Sequence, residues 1–126
     1  MEQEEFEKLA EAHKAWAERQ MFAGLGVPEN LIEGEGKRLR IRGEDLTDVR
    51  LTGMNLTGCE IVDCDLSDVE AHKCNLTEAN LKGSNLTAAN FHGSTMERAK
   101  LDTCILEGGN FTDCYMEECS LQNVQS

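Results

Sequence analysis

Six cysteines and three histidines are the side chains of this 126-residue sequence best suited to chemistry. Cys59, Cys64, Cys74, Cys104, Cys114 and Cys119 could close disulfides, hold a soft metal or present a thiolate, and His13, His72 and His92 could ligate a metal or move protons. Their spacing supports none of these uses. The cysteines lack the C-x2-C and Cys/His spacing of a zinc site. His72 and His92 have no third ligand at a matching place. Catalysis also needs a cleft in which such groups converge, so the elements carrying them decide the matter.

Those elements are visible from Leu39 onward, where the sequence aligns in fives over 17 units without a slip. The central position is apolar throughout: Ile41, Leu46, Leu51, Leu56, Ile61, Leu66, Ala71, Leu76, Leu81, Leu86, Phe91, Met96, Leu101, Leu106, Phe111, Met116 and Leu121. Two places earlier stands a mostly small residue, and all six cysteines fall there. A period of five fits neither a helix nor a single strand, so each unit must hold a short extended piece and a turn. Two inward residues per unit, one large and one small, suit a narrow square tube whose coils stack about 4.8 Å apart. The cysteines then read as small hydrophobes in a core, and buried, unpaired thiols imply a reducing, cytoplasmic setting.

Units such as ANLKG, SNLTA, CNLTE and CDLSD resemble the pentapeptide-repeat family, whose motif is Ala-Asp/Asn-Leu followed by two variable residues. The resemblance covers residues 39–124, about two thirds of the chain. It implies an all-β solenoid, a right-handed quadrilateral β-helix of about four coils with four units in each. Residues four units apart then stack, giving ladders such as Leu46, Leu66, Leu86, Leu106 and Leu51, Ala71, Phe91, Phe111. His72 and His92, also four units apart, become outward residues within reach of each other on one face.

Residues 1–38 are expected to form an N-terminal helical cap and 39–126 the repeat domain. Phe6, Leu9, Ala10, His13, Trp16, Ala17 and Met21 follow helical spacing over residues 3–22, with Gly24 and Gly26 ending the helix and Pro28 opening a turn through Leu31 and Ile32. An α-helical cap laid over the first coil near Leu39 and Ile41 would cover an open solenoid end, and His13 reads as structural. Lys37, Arg38, Arg40 and Arg42 read as the solvent side of the strand that enters the solenoid. After Leu121 only QNVQS remains, so Phe111, Tyr115, Met116 and Leu121 are expected at an exposed terminal coil that pairs in a two-fold homodimer.

The net charge is −12, from 24 acidic and 12 basic side chains. That excludes a general nucleic-acid or anionic-membrane binder, which needs clustered Lys and Arg. No apolar run approaches the roughly 20 residues of a membrane span, and the acidic start MEQEEFEK is unlike a signal or transit peptide. Sorted onto four faces, Glu44, Asp45, Asp48, Asp65, Asp68 and Glu107 share one face with no base, while the others net −3, −1 and zero. The units from Glu44 to Asn123 therefore hold −10 of the −12. Four coils make a rod about 19 Å long, over which duplex DNA carries about 11 charges.

Acidic members of the family mimic B-form DNA and occupy the DNA-binding saddle of type II topoisomerases such as gyrase. The resemblance thus implies a non-enzymatic binding protein without cofactor or metal. Its partner would be a topoisomerase, nuclease or other DNA-binding protein, inhibited by competition, with no direct contact to nucleic acid or membrane. The alternative is a structural or protein–protein interaction scaffold without mimicry, for which the acidic surface serves solubility alone. The family's gyrase-directed members are longer, so this rod would need dimerisation to span a comparable groove.

Overall fold

The computed structural model describes residues 1–31 and 36–126. A helix, α1 (Gln3–Gly24), leads to one 3-10 turn at Glu29–Leu31, closed by the Leu31 N–H donating to the Pro28 carbonyl at 2.9 Å. Ile32, expected to continue that turn, lies outside the described residues. The strand β1 (Arg40–Arg42) then pairs in parallel with β2 (Glu60–Val62), with Ile41 opposite Ile61.

The offset that sets Ile41 against Ile61 runs through the rest of the chain as parallel bridges. Asp45, Asp65, Asn85 and Ile105 stack on one side, Arg50, Glu70, Asn90 and Asn110 on the next, then Asn55, Asn75, Thr95 and Tyr115, and Glu60, Asn80, Lys100 and Ser120. Each side therefore recurs at every fourth unit, and the chain is a parallel β-solenoid with four units to the coil. Leu46, Leu56, Leu66, Leu76, Leu86, Phe91 and Met96 are wholly buried in its interior. The ladder weakens toward the last coil, where Leu106, Phe111 and Met116 are half-buried and Leu121 is exposed.

Local chemistry explains why these residues turn where they do. The Met54 N–H donates to the Leu51 carbonyl at 3.0 Å and Ala79 to Leu76 at 2.9 Å, so a tight turn joins one unit to the next. The last residue of nearly every unit takes positive φ, at Gly53 and Gly83 but also at Asp68, Glu78 and Arg98, where a side chain bears the strain. The Asn or Asp at the second position serves the same corner. Asp45 Oδ1 accepts from the Thr47 N–H at 2.9 Å, Asn75 from Thr77 at 3.0 Å and Asn85 from Thr87 at 3.0 Å.

α1 buries Phe6, Ala10, His13 and Ala17, with Phe6 and Ala10 packed in the core cluster of the solenoid and His13 against Thr57 of the first coil. Met21, expected on that face, is 54% exposed. The returning chain crosses the helix earlier, where the Lys37 N–H donates to the Ala12 carbonyl at 3.0 Å, and among the described residues no helix side chain beyond Ala17 is buried. Gly36 makes this crossing possible, because a Cβ there would collide with the Trp16 backbone and the Ala12 carbonyl.

Side chains of α1 and the entering segment also occupy the first coil's open backbone edge. In the interior, second-position carbonyls accept from the neighbouring coil, as Asp65 does from the Leu46 N–H at 2.8 Å. The equivalent Asp45 carbonyl accepts from the Met1 ammonium at 2.8 Å, and Gln3 bonds both the N–H and the carbonyl of Arg50. His13 Nε2 meets the Thr57 carbonyl at 2.8 Å, and Arg38 Nε donates to the Gly58 carbonyl at 2.7 Å. Part of a row of strand groups that would otherwise invite edge association is thereby satisfied. Arg38 is accordingly not a solvent-side residue: it is half-buried, lies 5.4 Å over the Trp16 ring and approaches Glu60 at 3.6 Å.

Candidate partner-binding face

The cysteines are placed by the small inward position, and they do more there than fill space. Cys104 Sγ donates to the Leu81 carbonyl at 2.9 Å, Cys114 to Phe91 at 2.9 Å and Cys119 to Met96 at 2.7 Å. Ser84 and Ser94, at equivalent places, donate to Ile61 at 2.9 Å and Ala71 at 2.8 Å. Thiol and hydroxyl alike reach the turn carbonyl one coil back. The two serines also accept, at 3.1 Å each, from the Cys64 and Cys74 N–H groups. Hydropathy alone missed this role; the clue was that serine occurs among the alanines and cysteines at this position.

All six thiols are free. Desolvation raises the pKa of Cys74 and Cys104 to about 11, and pushes Cys59, Cys64, Cys114 and Cys119 up as well. Such thiols are poor nucleophiles at neutral pH.

The outward histidines occupy matching positions one coil apart, where the Lys73 N–H donates to the His92 carbonyl at 2.9 Å. Their rings face carboxylates: His72 Nδ1 lies 3.6 Å from Glu70 Oε2, beyond hydrogen-bond length, and His92 Nε2 lies 3.9 Å from Asp113 Oδ2. Among the described residues no group of three or more His, Cys, Asp or Glu is placed to hold a metal ion. No described helix is long and apolar enough to cross a membrane.

The acidic face has a different character. Glu44, Asp45, Asp48, Asp68 and Glu107 are exposed and Asp65 is half-buried. The bridge between Asp45 and Asp65 stacks two carboxylates directly, an unfavourable neighbourhood for like charges. Each is held at its root by its own corner, Asp45 by Thr47 and Asp65 by Ser67. The Thr47 hydroxyl and N–H keep the Asp45 carboxyl below its ordinary range.

Among the described residues none of the six carboxylates on this face has an ion-pair partner. Elsewhere bases are drawn to acids: Arg98 meets Glu78 at 3.0 Å, and Arg38 and Arg40 approach Glu60 at 3.6 and 3.7 Å. The face is not a continuous stripe, however. Five carboxylates gather in the two coils spanning Glu44 to Asp68, the next pass, Ser84 to Ala88, is uncharged, and Glu107 stands apart. The sequence tally by face hid this break, because it counted charges without their order along the axis. It also left out the N-terminus, whose Met1 ammonium donates to the Asp45 carbonyl and adds a positive charge that helps hold the Asp45 carboxyl low.

At the last coil, Tyr115 is 64% and Leu121 43% exposed, beside half-buried Phe111 and Met116. Phe111 stacks on Phe91 with ring centroids 5.6 Å apart.

The family model for pentapeptide repeats matches in 8 copies over residues 45–83 and 64–102. Among solved structures, the chain is similar to the pentapeptide repeat protein Rfr23 from the cyanobacterium Cyanothece 51142, at 29% identity and a TM-score of 0.62, covering 64% of this chain and 56% of that one. Trypsin-treated QnrB1, a plasmid-mediated fluoroquinolone resistance protein, aligns at 21% identity and a TM-score of 0.43, over 69% of this chain and 55% of that one. HetL from Nostoc sp. strain PCC 7120 aligns at 16% identity and a TM-score of 0.33, over 71% and 54% respectively. The chain thus spans just over half the length of these structures. No curated protein matches.

Proposed function

We propose that this chain, which belongs to the pentapeptide-repeat family, is a non-enzymatic binding protein that uses the acidic face at Glu44, Asp45, Asp48, Asp65, Asp68 and Glu107 to engage a basic protein surface. The observation that carries the reading is the absence of any ion pair on that face among the described residues, where other faces draw their bases to their acids. Unpaired carboxylates retain their attraction for an incoming cationic surface and speed its encounter. A surface that ordinarily receives DNA phosphates has the required chemistry, so we extend the proposal to B-DNA mimicry: a DNA-binding enzyme, with gyrase as the first to test, bound where its DNA would lie. The gathering of charge in two coils makes a short patch of the mimic.

The same reading takes residues 1–38 as the cap and 39–126 as the binding domain, with cytoplasmic placement following from the free thiols. It includes a homodimer through Phe111, Tyr115, Met116 and Leu121. Support for the dimer comes from the exposed Tyr115 and Leu121 and from the Phe91–Phe111 stack, a ladder that a second copy would continue. Sedimentation at micromolar concentration checks it, and a monomer there contradicts it.

The mimicry is tested by displacement of labelled duplex DNA from purified gyrase. Displacement that weakens as salt screens charge supports the reading. Displacement unaffected by Asp45→Lys, Asp48→Lys, Asp65→Lys and Asp68→Lys together would favour a scaffold that holds its partner elsewhere.

A further inference from the structure

Of the side chains that close the first coil's open edge, one can gain a proton on mild acidification. His13 is wholly buried, and its two ring nitrogens hold two separate segments. Nδ1 accepts from the Leu39 N–H at 2.9 Å, where the chain enters the solenoid. A backbone N–H can only donate, so Nδ1 carries no proton, and the neutral ring bears its proton on Nε2. That proton is donated to the Thr57 carbonyl at 2.8 Å on the first coil. One neutral imidazole therefore ties helix, entering segment and coil together.

Protonating the ring would put an N–H on Nδ1 facing the Leu39 N–H, turning a hydrogen bond into an opposition of two donors. Among the described residues no carboxylate is placed to pair with the added charge. Trp16 packs against the ring with centroids 5.3 Å apart, and the coil presents the Thr57 backbone. The charged group acting on the ring is the Arg38 guanidinium of the entering segment, itself a cation. Glu60 of the second coil approaches Arg38 and Arg40.

We infer that His13 is an acid-sensitive latch, whose protonation frees α1 from the first coil and opens the solenoid's apolar N-terminal end at Phe6, Ala10 and Leu39. Burial, the largest influence on the ring, holds its pKa below the ordinary 6.5, with Arg38 acting in the same direction and the bond to Thr57 opposing. The unfolded histidine thus binds its proton first as pH falls. Docking is at full strength above 6.5 and is lost as pH drops below that value toward the docked ring's own pKa.

Hydrogen exchange of the intact chain across this range tests the latch, comparing peptides from α1 with peptides from the coil interior of the same molecule. A single proton predicts that α1 protection, relative to the interior, falls by up to about tenfold per pH unit below 6.5. In His13→Gln, which cannot titrate, the ratio should stay flat. Parallel loss from both regions in the native chain, or equal acid sensitivity in the variant, overturns the latch. Should the variant leave α1 undocked at every pH, the ring's NMR titration in the native chain decides. A midpoint below 6.5 that coincides with α1 release supports the latch, and a midpoint at or above 6.5 contradicts it.

Discussion

Leu86 lies at the middle of its ladder, wholly buried, and Leu86→Ala should cost about 2–5 kcal/mol of stability by urea denaturation. The serine bridges set a second test. Ser84→Ala leaves the Cys64 N–H and the Ile61 carbonyl without their shared hydroxyl; we expect a loss of about 1–3 kcal/mol, read in the same way. Ser84→Cys should recover part of it, since a thiol already makes the matching bond at Cys104. Thiol chemistry gives a third outcome. Cys59, Cys64, Cys74 and Cys104 should resist a thiol reagent in the folded chain at neutral pH, with the half-buried Cys114 and Cys119 reacting first. Uniform reaction of all six in the folded state would contradict the buried ladders. At this scale the sequence revealed which residues point inward, because the five-residue period is a hydropathy signal. It did not reveal that Ser84 and Ser94 bridge corner groups, or that thiols add bonds to turn carbonyls, since that depends on where the previous coil's carbonyls lie.

α1 was legible from the 3.6-residue period of its apolar face, and its end near Gly24 from the glycines there. The extent of its buried face was not, because the chain's return at Gly36 and Lys37 ends the contact, and no pattern within the helix encodes that crossing. Gly36→Ala should loosen the helix, since its Cβ has no room and its φ of +64° disfavours a side chain. A fall in thermal midpoint with the coil interior still protected from exchange checks this. Acid should dismantle the elements in order. His13, with its pKa lowered by burial, withdraws its contribution as pH falls below 6.5. Asp102, held below its ordinary 3.8 by the Ser120 hydroxyl and the Gln122 N–H, stabilises above that value and withdraws as pH falls through its lower folded value. The change at Trp16, the single tryptophan, should therefore precede loss of the β-sheet circular-dichroism signal in an acid titration.

The solenoid as a whole was the most legible feature, because a 17-unit repeat in one register admits few architectures and the bridges from each unit to the fourth beyond it supply the coil directly. The distribution of charge was only half legible. Its assignment to faces follows from the register, but its gathering toward the α1 end needs the coils in order, and the cation that the N-terminus sets beside Asp45 needs the contact of Met1. Binding through unpaired carboxylates is a claim about the entire surface, and capture from nuclease-treated lysate at low and raised salt tests it most directly. The account predicts that the immobilised chain retains proteins released by salt and by added duplex DNA, and that the variant with Lys at positions 45, 48, 65 and 68 loses them while keeping its fold. Retention of the same proteins by both chains, indifferent to salt and to DNA, would contradict it.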